Sequence, residues 1–84
     1  MTRLNQTEKL MFTKHLGVMI SAGIPLTEAL FSLEKDGSNP NLKKTIHNLR
    51  SQVESGKSLS LAMSQDQKTF DQVYVNLIKI GEES

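Results

Sequence analysis

The chain has no cysteine and no tryptophan, only two prolines, and aromatic residues make up just 5% of it. Without thiols there is no disulfide framework and no thiolate metal site, which is compatible with a reducing compartment. With so few rings, any core must be built mainly from Leu, Ile, Val and Met, and marginal stability is expected. Charge of one sign is also scarce. Ten Lys and Arg against nine Asp and Glu leave a formal charge of +1, too little for a long-range field that gathers nucleic acid or anionic membrane. The best apolar run, Leu16 to Ile24, spans about nine residues, where a bilayer crossing needs about 20. No secretory signal is visible, because Glu8, Lys9, Lys14 and His15 interrupt the N-terminal region. The 84 residues suffice for one domain, 1–84, and not for two.

What is present is helical punctuation. In Ser21-Ala22-Gly23-Ile24-Pro25-Leu26, Gly23 can close a helix in the left-handed conformation, and Pro25 suits the first turn of the next. Before it, Asn5 can cap a first helix, with Glu8 completing a capping box. On that helix Phe12, Leu16, Met19, Ile20 and Gly23 share a stripe flanked by Met11, Val18 and Ala22. A second helix, from Pro25 to about Asp36, carries Leu26, Ala29, Leu30 and Leu33, with Phe31 off the stripe. Gly37-Ser38-Asn39-Pro40 repeats the grammar of stop, cap and start. A third helix follows with Leu42, Ile46, Leu49 and Val53, and Gly56 ends it. Ser58 can cap a short fourth helix holding Leu59, Ala62 and Met63; Asp71 can cap a fifth, with Val73, Tyr74, Leu77 and Ile80 expected inside. No strand pattern emerges. The expected class is all-α, an antiparallel bundle of about five helices.

Motifs that would carry chemistry are thin. Gly56-Lys57-Ser58 matches the tail of a phosphate-binding P-loop, but Ser51 stands where the motif needs glycine, and a helix precedes it instead of a strand. His15 and His47 lack the spacing of a ligand pair and read as boundary or surface residues. Glu82 and Glu83 are adjacent carboxylates that can share a hard cation with a partner's oxygens; the ordinary meaning is a solvated acidic terminus. They stand at the negative end of a helix, so a compensating group from another element is expected. Lys43, Lys44, Arg50 and Lys57 tint the third helix basic, short of the face that nucleic-acid readers show. No nucleophile, base and oxyanion grouping is legible, so neither an enzyme nor a bound cofactor is expected.

Three stretches stand in order: Phe12–Leu16 leading to Ser21–Leu30, then Glu54-Ser55-Gly56-Lys57-Ser58-Leu59, then Ile80-Gly81-Glu82-Glu83-Ser84. Together they resemble the F domain of bacterial type II secretion and type IV pilus systems, the cytoplasmic repeat of the inner-membrane platform protein. The resemblance implies a compact antiparallel bundle of six helices, of which about five are present here. It also implies a non-catalytic scaffold on the cytoplasmic side of the membrane. The partners it implies are a cytoplasmic assembly ATPase, other inner-membrane components and pilins. Gly23, Pro25 and Leu26 match the first helical turn, Gly56 with Ser58 the third-to-fourth turn, and Gly81 with Glu82 the motif after helix five. Phe70 is followed by Asp71, where the family usually has proline.

The family pattern continues past Glu-Glu-Ser into a sixth helix, so the chain reads as a fragment of a longer membrane protein. A groove left open by that helix is expected to be filled by a second copy, giving a homodimer. The competing reading is a free-standing helical regulatory or DNA-binding module, although no nucleic-acid partner is expected from the charge.

Overall fold

Each helix begins where a short polar side chain or a proline meets an apolar period. In the computed structural model, which describes residues 4–37 and 39–83, the helices are α1 (Gln6–Ser21), α2 (Leu26–Asp36), α3 (Pro40–Glu54), α4 (Leu59–Ser64) and α5 (Gln72–Glu82). There is no strand among the described residues. Ser38 of the second turn and Ser84 of the last motif lie outside them.

The caps are local chemistry and follow the sequence closely. Asn5 accepts from the Glu8 amide at 2.8 Å while Glu8 accepts from the Asn5 amide at 3.1 Å, a reciprocal capping box. Asn39, Ser58 and Asp71 cap α3, α4 and α5 through side-chain oxygens that accept backbone N–H groups of the first turn. Two helices end in the same paired bond pattern. At α1, Gly23 N–H donates to Ile20 and Ile24 N–H to Met19, at 2.9 and 3.1 Å; at α3, Gly56 donates to Val53 and Lys57 to Gln52, at 3.0 and 3.1 Å. Both turns need φ values that a Cβ disfavours, +91° at Gly23 and +108° at Gly56.

Three local expectations need correction. Pro25 stands one residue outside α2, as its N-cap, with ψ 146°. The reversal after Gly23 takes one more extended residue, and proline's fixed φ suits that place as well. Gly37 ends α2 in extended geometry, φ −68° and ψ 132°, not in the left-handed region. Its use is space: a Cβ there would come within 3.1 Å of the Lys43 Cγ. Gly81 and Glu82 do not follow helix five but form part of it. No left-handed residue interrupts the last turn, and Glu82 is anchored to α4.

Consecutive helices pack on one another, α1 on α2, α2 on α3, α3 on α4 and α4 on α5. Their directions alternate. Glu8 at the start of α1 meets Asn39 at the start of α3, and Gly37 at the end of α2 stands against Lys43 in the first turn of α3. Glu82 at the end of α5 meets Ser60 at the start of α4. α5 closes the ring by running parallel to α1: the Lys9 Nζ donates to the Thr69 carbonyl at 3.1 Å, and Thr13 bonds the Tyr74 hydroxyl. One core joins all five helices and the α4–α5 loop, with Phe12, Leu16, Leu30, Ile46, Leu49, Met63 and Phe70 at its centre. The radius of gyration, 11.8 Å, equals the ~12 Å of a compact chain of this length.

The buried faces are narrower than the wheels suggest. On α1 only Phe12 and Leu16 are buried; Met19 is half-buried, and Met11, Val18 and Ile20 are exposed. On α5 Tyr74 packs inward as expected, but the other three residues expected inside do not. Val73, Leu77 and Ile80 are 69%, 61% and 61% exposed, while Val75 is buried and Tyr74 and Ile78 pack against the core. The cause is upstream. Phe70 is fully buried, and its ring lies 5.2 Å from that of Tyr74, centroid to centroid. Tyr74 must then face α1, which sets the rotation of the whole helix.

Candidate interaction surface

Because directions alternate, the α1–α2 turn, the α3–α4 turn and the end of α5 all lie at one end of the bundle. Gly23, Pro25, Leu26, Gly56, Ser58, Gly81 and Glu82, scattered over 60 positions of sequence, therefore share that end. Two of the motifs touch. The Ser60 amide and hydroxyl donate to the two carboxylate oxygens of Glu82, at 3.0 and 2.6 Å, and the Ser58 hydroxyl lies 3.3 Å from that of Ser60. Ser58 in turn accepts from the Leu61 amide at 3.2 Å. The first N–H groups of a six-residue helix thus receive one internal and one distant acceptor. This is the compensation that an acidic residue at the end of α5 requires: its charge faces the positive end of α4.

Glu83 is exposed at the C-cap of α5. Among the described residues no three His, Cys, Asp or Glu side chains converge as metal ligands would. Lys57 of the P-loop-like stretch bends back to the Gln52 side chain at 3.4 Å, and the stretch is the helix-ending turn of α3. His15 is exposed and, with Met11, Leu33 and Asp36, lines a shallow cleft.

His47 is held differently, in a charge cluster on the outer side of α2 and α3 that spacing along the chain does not reveal. The Glu34 carboxylate lies 3.1 Å from the His47 Nδ1 and accepts from the Arg50 Nε at 3.0 Å; the Arg50 Nη1 donates to Glu54, also at 3.0 Å. Partial burial pushes the Glu34 carboxyl up, but the bonds and charges of Arg50 and His47 outweigh it and hold the group below its ordinary value. The bond to Glu34, then that to Glu54, raises Arg50 further. At the α1–α5 seam burial raises the Tyr74 phenol, and the bond with Thr13 offsets part of this. The one sequence signal for the α2–α3 cluster was Phe31, off its helix's apolar stripe, whose ring lies beside Arg50.

These features define a class: a small all-α module whose distinctive residues build turns, caps and surfaces. The chain belongs to the family described as Type II secretion system (T2SS), protein F, which it matches over residues 12–84. It is 38% identical over 73 residues to the type IV pilus assembly protein PilC of Myxococcus xanthus, covering 87% of this chain and 18% of that one. It is 37% identical over 73 residues to PilC of Thermus thermophilus, again covering 87% and 18%. To the type II secretion system protein F of Xanthomonas campestris it is 32% identical over 71 residues, covering 84% and 18%. The chain thus spans about a fifth of the length of these relatives. No helix among the described residues is long and apolar enough to cross a membrane.

Proposed function

We propose that the 84 residues form one non-catalytic interaction domain of a platform protein for type II secretion or type IV pilus assembly. The domain lies on the cytoplasmic side of the inner membrane and couples an assembly ATPase to the polymerisation of pilins or pilin-like subunits. Membership of the protein F family over residues 12–84 carries this reading. Two further observations support it. Relatives named for pilus assembly and for secretion both match, as a shared coupling module would. The family-motif residues gather at one end of the bundle, where they act as structural determinants first and contact sites second.

The test is a pull-down with the complete platform protein that carries this chain. It should retain the cytoplasmic ATPase, and a version lacking residues 12–84 should not. Equal retention by both, or by neither, counts against the assignment.

A further inference from the structure

The turn between α2 and α3 carries a chemistry that the family-motif residues do not use. The side-chain Cγ of an aspartate or asparagine can be attacked by the backbone nitrogen of the residue that follows. A five-membered succinimide closes, and water leaves from aspartate or ammonia from asparagine. Water then opens the ring at either carbonyl. One opening restores aspartate; the other leaves isoaspartate, whose main chain runs through the side-chain methylene. No reactant but water is required. The step needs an unengaged side chain, a following N–H, and little bulk on the residue that supplies it.

The chain has three aspartates and five asparagines, and seven of the eight are poorly placed. Asn39 is followed by Pro40, which has no N–H to attack with. Asn5, Asp66 and Asp71 hold their side-chain oxygens on backbone amides of their own turns, at 2.8, 3.3 and 2.9 Å. Each of these three is followed by glutamine. Asn41, Asn48 and Asn76 lie inside α3 and α5, each followed by leucine.

Asp36 differs on every count. It alone precedes a glycine, and its exposed carboxylate makes no hydrogen bond or ion pair among the described residues. It is the last residue of α2, and the Gly37 N–H donates to the Leu33 carbonyl at 3.2 Å, the closing bond of the helix. Helix ends fray, so this bond opens more readily than those of the interior. Once it opens, rotation about the Asp36 Cα–C bond brings the Gly37 nitrogen towards Cγ, with no Cβ in the way.

We propose that Asp36-Gly37 is a self-modifying site, where the Asp36 carboxyl cyclises onto the Gly37 nitrogen and reopens in part as isoaspartate. The added backbone methylene falls where there is little room, since even a Cβ on Gly37 would come within 3.1 Å of the Lys43 Cγ. Two residues on, Asn39 caps α3 and bonds Glu8 of α1. The modification therefore displaces that cap and leaves the opposite end of the bundle, with Gly23, Gly56 and the Glu82–Ser60 bonds, in place.

The test is to keep the 84-residue chain warm at neutral pH, beside a synthetic peptide of residues 33–43. Digestion and electron-transfer fragmentation then distinguish isoaspartate from aspartate at each position. Isoaspartate should appear at position 36 before any other, more slowly than in the peptide because α2 must first open. Asp36→Glu keeps the charge but would need a six-membered ring, and should lose the product entirely; circular dichroism shows that it folds. In the modified chain, separated by ion exchange, the amides of Glu8, Asn39 and Lys43 should shift while those of Gly23, Gly56 and Ser60 hold. The site is overturned if Asp36 stays unconverted in the folded chain while the peptide converts to completion, or if another Asp or Asn converts first. Unshifted Glu8, Asn39 and Lys43 amides in the modified chain would overturn the effect on the cap.

Discussion

Replacing Gly23 or Gly56 with alanine costs no packing, since nothing lies within 4 Å of either added Cβ beyond the adjoining residues. The cost is all in the backbone, with φ at +91° and +108°, and should reach about 1–2 kcal/mol at each site. Gly17 is the counter-example. It lies inside α1 with open space around its Cα, so Gly17→Ala should stabilise by about 0.5–1 kcal/mol. Urea midpoints at unchanged slope read all three; a stabilising Gly23→Ala would show that the turn is not left-handed. Glu34 makes a prediction in pH. Its folded pKa lies below the ordinary 4.5, so it adds stability above pH 4.5, and that share is lost as pH falls through the folded value. Glu34→Gln should therefore be less stable than the parent at neutral pH and draw level with it in acid. A gap that stays constant down to pH 3 would assign the effect of Glu34 to packing instead of charge.

Among the elements, α5 differs most from its helical wheel. The prediction is a reversal of the expected pattern. Val75→Ala should cost about 2 kcal/mol, the loss of two buried carbons and the space they leave. Val73→Ser, at a 69% exposed site, should change stability by less than about 0.5 kcal/mol. Thermal melts of the two variants decide it, and equal losses would restore the face the wheel suggests. The reason for the misreading is physical. Val73, Leu77 and Ile80 form one apolar side of α5, and Tyr74, Val75 and Ile78 form another. Sequence spacing gives no means of choosing between them, because the choice is made by Phe70 and Thr13, one outside the helix and one 61 positions away. Caps were legible for the opposite reason. Asn5 with Glu8, Ser58 with Leu61 and Asp71 with Tyr74 are all three positions apart, so each bond is nearly complete in the sequence itself. Of the candidate site, the motif residues were visible singly, but not their gathering at one end. Neither the Glu82–Ser60 bonds nor the Arg50 clamp could be read, since both wait on helices packing at the right height.

Taken whole, the molecule has one core for five helices and leaves its last helix half covered. Val73 and Leu77, both more than half exposed, sit one turn apart on α5, a place where the expected second copy can bury apolar surface. Self-association of this kind acts as a ligand on stability: the folded state gains by mass action as concentration rises. The melting midpoint of the chain should therefore climb with protein concentration, and Leu77→Glu should abolish the climb while leaving the dilute midpoint nearly unchanged. Tyr74 provides the control. It is the only tyrosine, no tryptophan competes with it, and it sits on the α1–α5 seam. Its fluorescence and the helical circular dichroism should fall together at each concentration, because seam and helices share one core. A midpoint independent of concentration would remove the second copy. Fluorescence falling ahead of dichroism would mean that α5 leaves the bundle first, and that the four helices before it persist without it.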